Sequence, residues 1–373
     1  MAGPHLWLRA EVKPSEHRTA LTPEACKELI GLGFKISVES STDPSTKRCY
    51  TDEDYKAAGC EIVETGSWPT APKDAYIVGL KELPEDTSPL EHTHIYFGHC
   101  YKGQGGWKEL LARFRAGGGK LLDLEFLTDA TGPPPRSAFG YMAGYTGAFV
   151  GLDVWCHRQL KTEGAYPSID AYPNEEVLFK YIKPRIQDAT AGAGGAPRVL
   201  VMGALGRCGR GACDFLVNAG IPEANILRWD LEETKKGGPF PELLDVDIFV
   251  NCIYLAKPIP PFITREMLDQ DSRRLSVVVD VSCDTTNPHN PIPFADKNTT
   301  FTEPTFQITP SGGAVVDVVT IDHLPTLLPK ESSDRFAADL LPTIKGLAQQ
   351  EGHPVWGRAL ELFHKKMEEA QTA

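Results

Sequence analysis

The sequence predicts an α/β protein of two domains, each built on a mostly parallel sheet. Short apolar runs alternate with helical patterns from the N-terminus onward, which is typical of parallel strands joined by crossover helices. The length of 373 residues allows two ordinary domains, each with its own hydrophobic core. Pro133-Pro134-Pro135 and the glycine-rich segment 191–197 break the pattern, and the alternation restarts after the second break.

The first domain is predicted to open with a strand, a helix and a second strand. Residues 6–10 form the first apolar run. Thr22-Pro23-Glu24 then supplies an N-cap, a proline at the first helical position and an acid in the first turn. Gly33 ends that helix, and residues 34–39 resume as strand. Further apolar runs predict strands at residues 75–80, 94–97 and 120–124.

Ionisable side chains follow these strands at the points where the strands end. They are Lys13 and Arg18 after the first strand, and Lys81, Glu82, His99, Lys102 and Glu125 after the later ones. Because the carboxyl ends of parallel strands meet at one edge of a sheet, we expect these side chains to converge.

Such a cluster can bind an anion and move protons. Arginine and lysine side chains without a structural carboxylate partner can hold an anionic substrate. A lysine that lies near other cations and is partly removed from water can act as a base, and His99 titrates near neutrality. The alternative is a solvated Lys81–Glu82 charge pair with a structural histidine at the edge of the core.

The second domain is predicted to begin with a dinucleotide-binding unit. A buried strand at 198–202 leads into Gly203-Ala204-Leu205-Gly206-Arg207-Cys208-Gly209, a helix follows through residue 219, and a strand at 225–229 ends at Asp230. The glycines let the backbone approach a pyrophosphate, the helix N-terminus presents N–H groups, and Asp230 can accept hydrogen bonds from ribose hydroxyls. A tight turn without a ligand is the alternative, since Leu205 replaces the usual second glycine.

Asp230 favours NAD over NADP because a carboxylate repels a 2′-phosphate. Arg228 and Lys235 lie nearby in sequence and act in the opposite direction. NAD is therefore the expected cofactor.

Two later apolar runs, 246–253 and 275–281, predict strands that end at the same edge of the second sheet. The residues placed beside the cofactor are Cys252, Tyr254, Ser282, Cys283 and Asp284. Cys208 and Cys252 would be neighbours, so a redox-sensitive thiol pair is an alternative to ordinary loop cysteines. Past residue 324 the chain becomes helical, and these terminal helices could pack on the first domain.

The composition excludes several classes of protein. The 50 acidic residues exceed the 38 basic ones, and the net charge of -12 opposes a nucleic-acid or anionic-membrane partner. The apolar stretch 138–152 is short and glycine-rich, which predicts a buried helix and no membrane span. The 9 cysteines contain no Cys-x-x-Cys pair. We therefore expect no disulfide framework, no metal site and, without a visible secretory signal, a cytoplasmic location.

Several motifs together resemble the NAD-dependent, lysine-forming saccharopine dehydrogenases over nearly the whole chain. In the first domain they are Leu8-Arg9-Ala10-Glu11, Arg18-Thr19-Ala20-Leu21-Thr22-Pro23, Gly79-Leu80-Lys81-Glu82, Gly98-His99-Cys100-Tyr101-Lys102 and Asp123-Leu124-Glu125-Phe126. In the second they are the Gly203 to Gly209 turn, residues 280–288 and Ile321-Asp322-His323-Leu324-Pro325. The broader fold relation is to alanine dehydrogenase.

The resemblance implies two Rossmann-like domains with parallel sheets separated by a cleft. Residues 1–138 with 325–373 would form the substrate and catalytic domain, and residues 139–324 the dinucleotide-binding domain. The implied reaction is the last step of the α-aminoadipate route, in which saccharopine, NAD and water give L-lysine, 2-oxoglutarate and NADH. These small molecules are the expected partners, and a monomer is the expected state.

The resemblance also assigns site residues. Lys81 would take the proton from the secondary amine, His99 would act as acid and base in hydrating the imine and collapsing the carbinolamine, and Glu82 and Glu125 would tune both groups. Substrate-binding residues would be Lys13, Arg18, Lys102, Arg136, Phe139, Ser282, Cys283 and Asp284. Cofactor-binding residues would be Gln104, Gly203, Gly206, Arg207, Asp230, Thr234, Tyr254, Val281, Ile321, Asp322, His323 and Leu324. The family usually places its substrate arginine slightly earlier than Arg136.

Two other functions fit the sequence. A related amino-acid dehydrogenase, of the alanine type or a different opine-forming type, would share the fold and the cofactor. A non-catalytic NAD-binding sensor would bind NADH without turnover, and it would not need Lys81 or His99.

Overall fold

The computed structural model describes residues 3–128, 138–160, 164–255, 257–283, 285, 289–312 and 314–372. The chain forms two compact units, Met1–Ala138 with Pro329–Ala373, and Phe139–Leu328. The chain re-enters the first unit at Pro329 and not at residue 325, because Leu324, Leu327 and Leu328 are buried in the core of the second unit.

The first unit alternates strands and helices. In chain order they are β1 (His5–Leu8), α1 (Pro23–Gly31), β2 (Lys35–Glu39), α2 (Asp52–Ala57), β3 (Glu61–Val63), β4 (Tyr76–Val78), β5 (Thr93–Tyr96), α3 (Trp107–Gly117) and β6 (Lys120–Asp123). The predicted start of α1 is confirmed, since the Thr22 side chain accepts a hydrogen bond from the N–H of Ala25. Sequence analysis did not identify β3, which is only three residues long.

The strands of this sheet follow the order β3-β2-β1-β4-β5-β6, and the pairings are all parallel. This is the order of the Rossmann fold, in which the chain moves outward in one direction and then returns to continue in the other. The reversal lies between β1 and β4. Ligands of such sheets bind beyond the carboxyl ends of the strands at this switch point.

The second unit begins with two long helices and continues as a strand–helix alternation. Its elements are α4 (Gly140–Gln159), α5 (Glu175–Ala193), β7 (Val199–Met202), α6 (Arg207–Asn218), β8 (Ile226–Trp229), α7 (Leu231–Thr234), β9 (Ile248–Asn251), β10 (Val277–Asp280), β11 (Phe306–Ile308) and β12 (Val316–Val319). The sheet order is β11-β12-β10-β9-β7-β8, with only the β11–β12 pairing antiparallel among the described strands. The switch point lies between β7 and β9. Two α/β units with parallel sheets, as predicted, are therefore confirmed.

The return segment adds α8 (Pro329–Lys345) and α9 (Pro354–Thr372) to the first unit. Helix α9 packs against β6 and α3, and α8 packs against α1. Phe363 of α9 is buried against Phe114 of α3, at a ring distance of 5.8 Å. The terminal helices therefore complete the core of the first unit, as the family resemblance implied.

Helix α4 is the buried helix predicted at residues 138–152. Most of its residues, from Met142 to His157, are inaccessible to solvent. In the described residues, no helix is long and apolar enough to cross a membrane.

Helix α5 continues further than the sequence suggested. The glycine-rich segment was expected to be a flexible break from residue 191, but α5 runs to Ala193 and ends where Gly194 adopts φ +74°. One glycine within a helix costs only about 1 kcal/mol, so the helix tolerates Gly192.

Helices α4 and α6 pack closely because glycine occupies their contact points. A Cβ atom added at Gly144 of α4 would overlap the carbonyl oxygen of Cys208, and one added at Gly211 of α6 would overlap the carbonyl oxygen of Tyr141. These contacts place α6, whose N-terminus follows the Gly203 turn, against the buried helix. The glycine-dependent approach thus fixes the position of α6 within the second unit.

We expect Gly144→Ala to lower the free energy of unfolding by about 1–3 kcal/mol, because the added methyl group forces α4 and α6 apart. The control is Gly192→Ala in α5, where the nearest atom to an added Cβ, the carbonyl oxygen of Gln159, is 3.9 Å away. Thermal unfolding followed by circular dichroism compares both variants with the natural protein. An unchanged midpoint in Gly144→Ala would contradict the close packing.

Candidate active site

Lys81 lies at the switch point of the first sheet, just beyond β4. The carboxylate of Glu11 accepts hydrogen bonds from the backbone N–H groups of Leu80 (2.7 Å) and Lys81 (2.9 Å). The guanidinium of Arg9, at the end of β1, donates to the carbonyl oxygen of Lys81. Burial raises the pKa of Glu11 against the opposing charge of Arg9. Two side chains that follow β1 therefore hold the backbone that carries Lys81.

A buried ion pair lies next to Lys81. The Nε and Nη2 atoms of Arg18 donate to the two carboxylate oxygens of Glu16 at 2.8 and 2.6 Å, and both side chains are almost fully buried. Burial opposes ionisation of Glu16, but the charges of Arg18 and Lys81 and the hydrogen bonds from Arg18 lower its pKa to about 2. Glu16 therefore stays negatively charged close to Lys81.

This pair bears on the predicted substrate site. Arg18 was predicted to hold an anionic substrate, as a cation without a structural carboxylate partner can, but it binds Glu16 in bidentate fashion. Glu16 was not a candidate at all, although its spacing of two residues from Arg18 was a signal for local pairing. Lys13 lies half-buried in the same loop, where its carbonyl oxygen accepts from the N–H of Glu16 at 3.1 Å.

His99 follows β5 in an uncommon backbone conformation. Its φ of 48° lies in the left-handed region, which residues other than glycine rarely adopt. The imidazole stacks on the ring of Phe97, and its Nε2 atom is 3.6 Å from a carboxylate oxygen of Glu82. The half-exposed His99 and Glu82 therefore form a second candidate acid–base pair, and strained backbone of this kind often marks functional positions.

Glu125 follows β6 and pairs with Lys102. The Nζ atom of Lys102 donates to Glu125 at 2.6 Å, so Lys102 is a second predicted substrate-binding cation that has a carboxylate partner. Its side chain is 52% exposed, whereas that of Arg18 is 4% exposed, so Lys102 is the more accessible of the two cations. Gln104, predicted to contact the cofactor, lies in this loop and accepts from the N–H of Lys102 at 2.9 Å.

Asp123 is a buried carboxyl group that the sequence analysis missed. It is 1% exposed and accepts hydrogen bonds from the backbone N–H groups of Gly98 (3.1 Å) and Glu125 (2.9 Å). Burial raises its pKa to about 7, and the negative charge of Glu125 adds to that effect. An acid at the last position of an apolar strand was the available signal.

The first unit therefore carries most of the predicted chemical residues along the carboxyl edge of one sheet. They are Lys13, Arg18, Lys81, Glu82, His99, Lys102 and Glu125. Arg136, the remaining predicted arginine, lies outside the described residues.

In the second unit, the turn after β7 has the geometry of a dinucleotide loop. Gly203 adopts φ +86°, and a Cβ atom at Gly209 would overlap the carbonyl oxygen of Gly203. Helix α6 begins at Arg207, and its N-cap residue, Gly206, provides no side-chain cap. The backbone N–H groups of this helix start therefore suit an anionic phosphate.

Asp230 ties the end of β8 to this turn. Its two carboxylate oxygens accept hydrogen bonds from the backbone N–H groups of Leu205 and Leu231, each at 2.9 Å. Thr234 donates from its hydroxyl to the carbonyl oxygen of Asp230 at 2.8 Å. The half-exposed carboxylate lies beside the glycine turn, where a ribose acceptor is required.

Asp280, the last residue of β10, is buried and accepts hydrogen bonds from Asn251 (2.9 Å) and Ser282 (2.7 Å). Burial raises the pKa of Asp280 against these two hydrogen bonds. Cys283 adopts φ 46°, and its thiol donates to the carbonyl oxygen of Thr320. Val281, which was predicted to bind the cofactor, follows the strand directly. It therefore lies in the same turn as Ser282 and Cys283, which were predicted to bind the substrate.

The other predicted residues of this unit occupy neighbouring loops. Tyr254 is 56% exposed after β9, and the His323 ring packs edge-on against Phe301 at 4.8 Å. Ile321 and Leu324 are buried in the core, whereas Asp322 is exposed. The half-buried Phe139 immediately precedes α4. Asp284 lies outside the described residues.

Cys208 and Cys252 are hydrogen-bonded neighbours in the second unit. This hydrogen bond and burial raise the pKa of the Cys252 thiol well above its ordinary value. Both thiols are free, so redox sensitivity of the pair stays a prediction. Within the described ranges, no group of three or more His, Cys, Asp or Glu side chains is placed to hold a metal ion.

Comparisons with known proteins extend these observations. Residues 7–146 match the family model described as "Alanine dehydrogenase/PNT, N-terminal domain". The solved structure of an L-alanine dehydrogenase superposes with a TM-score of 0.66 at 16% identity, covering 96% of this chain and 94% of that chain. This likeness concerns the fold alone.

Full-length sequence relatives are much closer. A Schizosaccharomyces pombe protein named saccharopine dehydrogenase (NAD(+), L-lysine-forming) is 52% identical over 369 residues, which is 97% of this chain and 98% of that protein. The Yarrowia lipolytica protein of the same name is 51% identical over 361 residues, 96% of each chain. The resemblance found in the sequence motifs is therefore confirmed. The chain belongs to the family of the lysine-forming, NAD(+)-dependent saccharopine dehydrogenases.

Proposed function

We propose that this protein catalyses the NAD-dependent oxidative deamination of saccharopine to L-lysine and 2-oxoglutarate. The observation that carries the proposal is the edge of the first sheet, where Lys81 beside a charged Glu16 and His99 beside Glu82 supply two acid–base groups. Two groups suit this reaction because an amine must lose a proton and an imine must then gain water. The relatives of that name cover nearly the whole chain.

Lys81 acts on the secondary amine of saccharopine. The amine must be neutral before hydride leaves the neighbouring glutaryl carbon, and Lys81 accepts its proton. The carboxylate of Glu16 stabilises the lysine ammonium that forms. The hydrogen bonds from Leu80 and Lys81 to Glu11 fix the backbone, so the amine base keeps its position during the transfer. NAD supplies the hydride acceptor when it is bound.

His99 acts on the imine that remains. It accepts a proton from water as the water attacks the imine carbon and passes that proton to nitrogen. It then accepts the hydroxyl proton as the carbinolamine collapses to lysine and 2-oxoglutarate. The Glu82 carboxylate, 3.6 Å from Nε2, stabilises the imidazolium between these steps. Glu125 acts less directly, since it is paired with Lys102.

The substrate carries three carboxylates, so its site requires cations. Lys13 and Lys102 are the more accessible candidates, and Arg18 also orients the Glu16 charge beside Lys81. A substrate carboxylate that approaches Lys102 would share it with Glu125 or displace Glu125. The family resemblance adds Arg136, Phe139, Ser282, Cys283 and Asp284 to the proposed substrate site.

The second unit is proposed to bind NAD. Gly203, Gly206 and Arg207 would face the pyrophosphate, and Asp230 would accept hydrogen bonds from the adenosine ribose. The further residues proposed to line the cofactor are Gln104, Thr234, Tyr254, Val281, Ile321, Asp322, His323 and Leu324. A cytoplasmic location is also proposed, and the nine free cysteines support it because disulfides are rare in reducing compartments. The monomeric state stays a prediction.

An NADH-oxidation assay tests the proposed reaction. Lysine plus 2-oxoglutarate should support turnover, and omission of either should abolish it. Pyruvate plus ammonium serves as the comparison, because the fold and the matched N-terminal domain are shared with alanine dehydrogenases. Turnover with pyruvate and none with lysine would favour the alanine-type enzyme.

We expect Lys81→Met and His99→Gln each to lower kcat by about 10²–10⁴-fold, because each removes one proton-transfer group. The Kd for NADH should change little, since neither residue belongs to the glycine turn. Lys73→Met is the matched control, because Lys73 is an exposed lysine of the same unit whose ion pair is with Glu91. Steady-state kinetics and fluorescence titration of NADH measure the two quantities. Full activity in both variants would refute the assigned chemistry.

We expect Asp230→Ala to raise the KM for NADH about tenfold and to reduce the preference for NADH over NADPH, because the ribose acceptor and the charge that repels a 2′-phosphate are both lost. Glu232→Ala is the control, since Glu232 is an exposed acid two positions further on α7. Comparison of kcat/KM for the two cofactors measures the effect. Equal losses in both variants would indicate a general charge effect.

A further inference from the structure

We propose that Asp123 is a positioning residue for the acid–base site. Its carboxylate accepts the Gly98 and Glu125 N–H groups and so fixes the loops that carry His99 and Glu125. The inference rests on the proposed function, because Asp123 would act by positioning the proposed acid–base residues. It adds a further carboxylate to the edge of the first sheet, one that acts through backbone hydrogen bonds.

The two hydrogen bonds join neighbouring strand ends. Oδ2 of Asp123 accepts from the residue that immediately precedes His99, and Oδ1 accepts from Glu125 on the turn after β6. One buried side chain therefore determines where both loops leave the sheet. The left-handed backbone of His99 is disfavoured on its own, so it requires such a surrounding constraint.

Glycine at residue 98 lets the backbone approach the carboxylate closely. A Cβ atom at Gly98 would lie 3.2 Å from Oδ2 of Asp123 and 2.7 Å from a methyl carbon of Leu121. A side chain at this position would require Leu121 and the carboxylate to shift. The pairing of Gly98 with Asp123 is thus a feature of packing as well as of hydrogen bonding.

The surroundings make this carboxylate costly to ionise. The groups that interact electrostatically with it or with its neighbours are Glu125, Lys102, Tyr96, Cys100, Tyr101, Arg9 and Arg113 near Tyr96, and, from α9, Lys366 near Cys100. Burial raises the pKa of Asp123 to about 7 against the opposing charge of Lys102. Protonation converts one oxygen into a hydroxyl that accepts poorly, so one loop contact weakens as the pH falls through neutrality.

Asp123→Asn tests the role, because the amide keeps one acceptor oxygen and places an NH₂ group against the other backbone N–H. We expect kcat for saccharopine oxidation to fall about 10–100-fold with the KM for NAD unchanged. The acidic limb of the kcat profile, between about pH 5 and 8, should also become less steep, because one ionisation has been removed. Asp153→Asn is the matched control, since Asp153 is equally buried and bonded to Tyr166 and Arg185 in the second unit.

Hydrogen exchange provides a readout independent of activity. The amides of Gly98 and Glu125 should exchange faster in Asp123→Asn and not in Asp153→Asn. In the natural protein, their exchange, corrected for intrinsic rates, should slow as the pH rises through about 7. This second measurement decides the proposal even if Asp123→Asn fails to fold.

The pH dependence of thermal stability checks the ionisation of Asp123 separately from its positioning role. The folded protein keeps a proton on Asp123 up to about pH 7, whereas the unfolded chain loses it near pH 3.8. The Tm of the natural protein should therefore decline relative to that of Asp123→Asn between these pH values.

The outcomes separate the two proposals. An unaltered pH profile and unaltered exchange at Gly98 and Glu125 in Asp123→Asn would overturn the role of Asp123. Absence of saccharopine oxidation by the natural protein would instead overturn the proposed function, while the exchange result would still report on the hydrogen bonds.

Discussion

Parallel pairing between β1 and β4 is the constraint that places the candidate acid–base residues at the carboxyl edge of the first sheet. The register pairs Leu6 with Tyr76 and Leu8 with Val78, so both strands end at the same level. Arg9 and Glu11 then meet the backbone of Lys81 as it leaves β4. A different register would separate these groups, because each position along a strand moves a side chain by about 3.3 Å. Lys81, the proposed base, is thus placed by backbone hydrogen bonds of the sheet.

Charge burial is the second determinant of the site. Ion pairs lose solvation when they are buried. Removal of one partner of a buried pair typically lowers the free energy of unfolding by about 3–5 kcal/mol. Glu16 and Arg18 are nearly inaccessible, and the bidentate geometry keeps both charges satisfied. The result is a fixed negative charge beside Lys81 that solvent does not screen well. Asp123 differs, since among the described residues its hydrogen bonds come from backbone N–H groups, and burial raises its pKa to about 7.

The convergence of these residues could be predicted from the sequence, because the carboxyl ends of parallel strands meet at one edge of a sheet. The prediction required only that the strands be recognised. Apolar runs before Lys81, His99 and Glu125 were sufficient, although β4 and β6 are shorter than their apolar runs and β5 begins one residue earlier than its run. Burial could not be predicted in the same way. Whether Arg18 faces solvent or Glu16 depends on the path of the loop after β1, which no periodic pattern encodes. Asp123 escaped notice because an acid at the end of an apolar run resembles an ordinary strand terminus.

The second unit shows the same division between pattern and context. The Gly203 turn and Asp230 were predicted from the spacing of glycines, strand and acid, whereas β11 and β12 were not identified because they are short and polar residues interrupt them. The close approach of α4 and α6 depends on glycines from two distant segments. Such contacts follow from tertiary packing, and one sequence does not reveal which glycines will meet.

The groups at the edge of the first sheet are proposed to serve condensation of an amine with a keto acid, followed by reduction at the former carbonyl carbon. Mass spectrometry of the product formed from deuterium-labelled NADH, lysine and 2-oxoglutarate follows this reduction. We expect saccharopine that carries one deuterium on the α-carbon of its glutaryl group. Deuterium in 2-hydroxyglutarate, with lysine left unchanged, would show that the enzyme reduces the keto acid alone and would refute the proposed reaction.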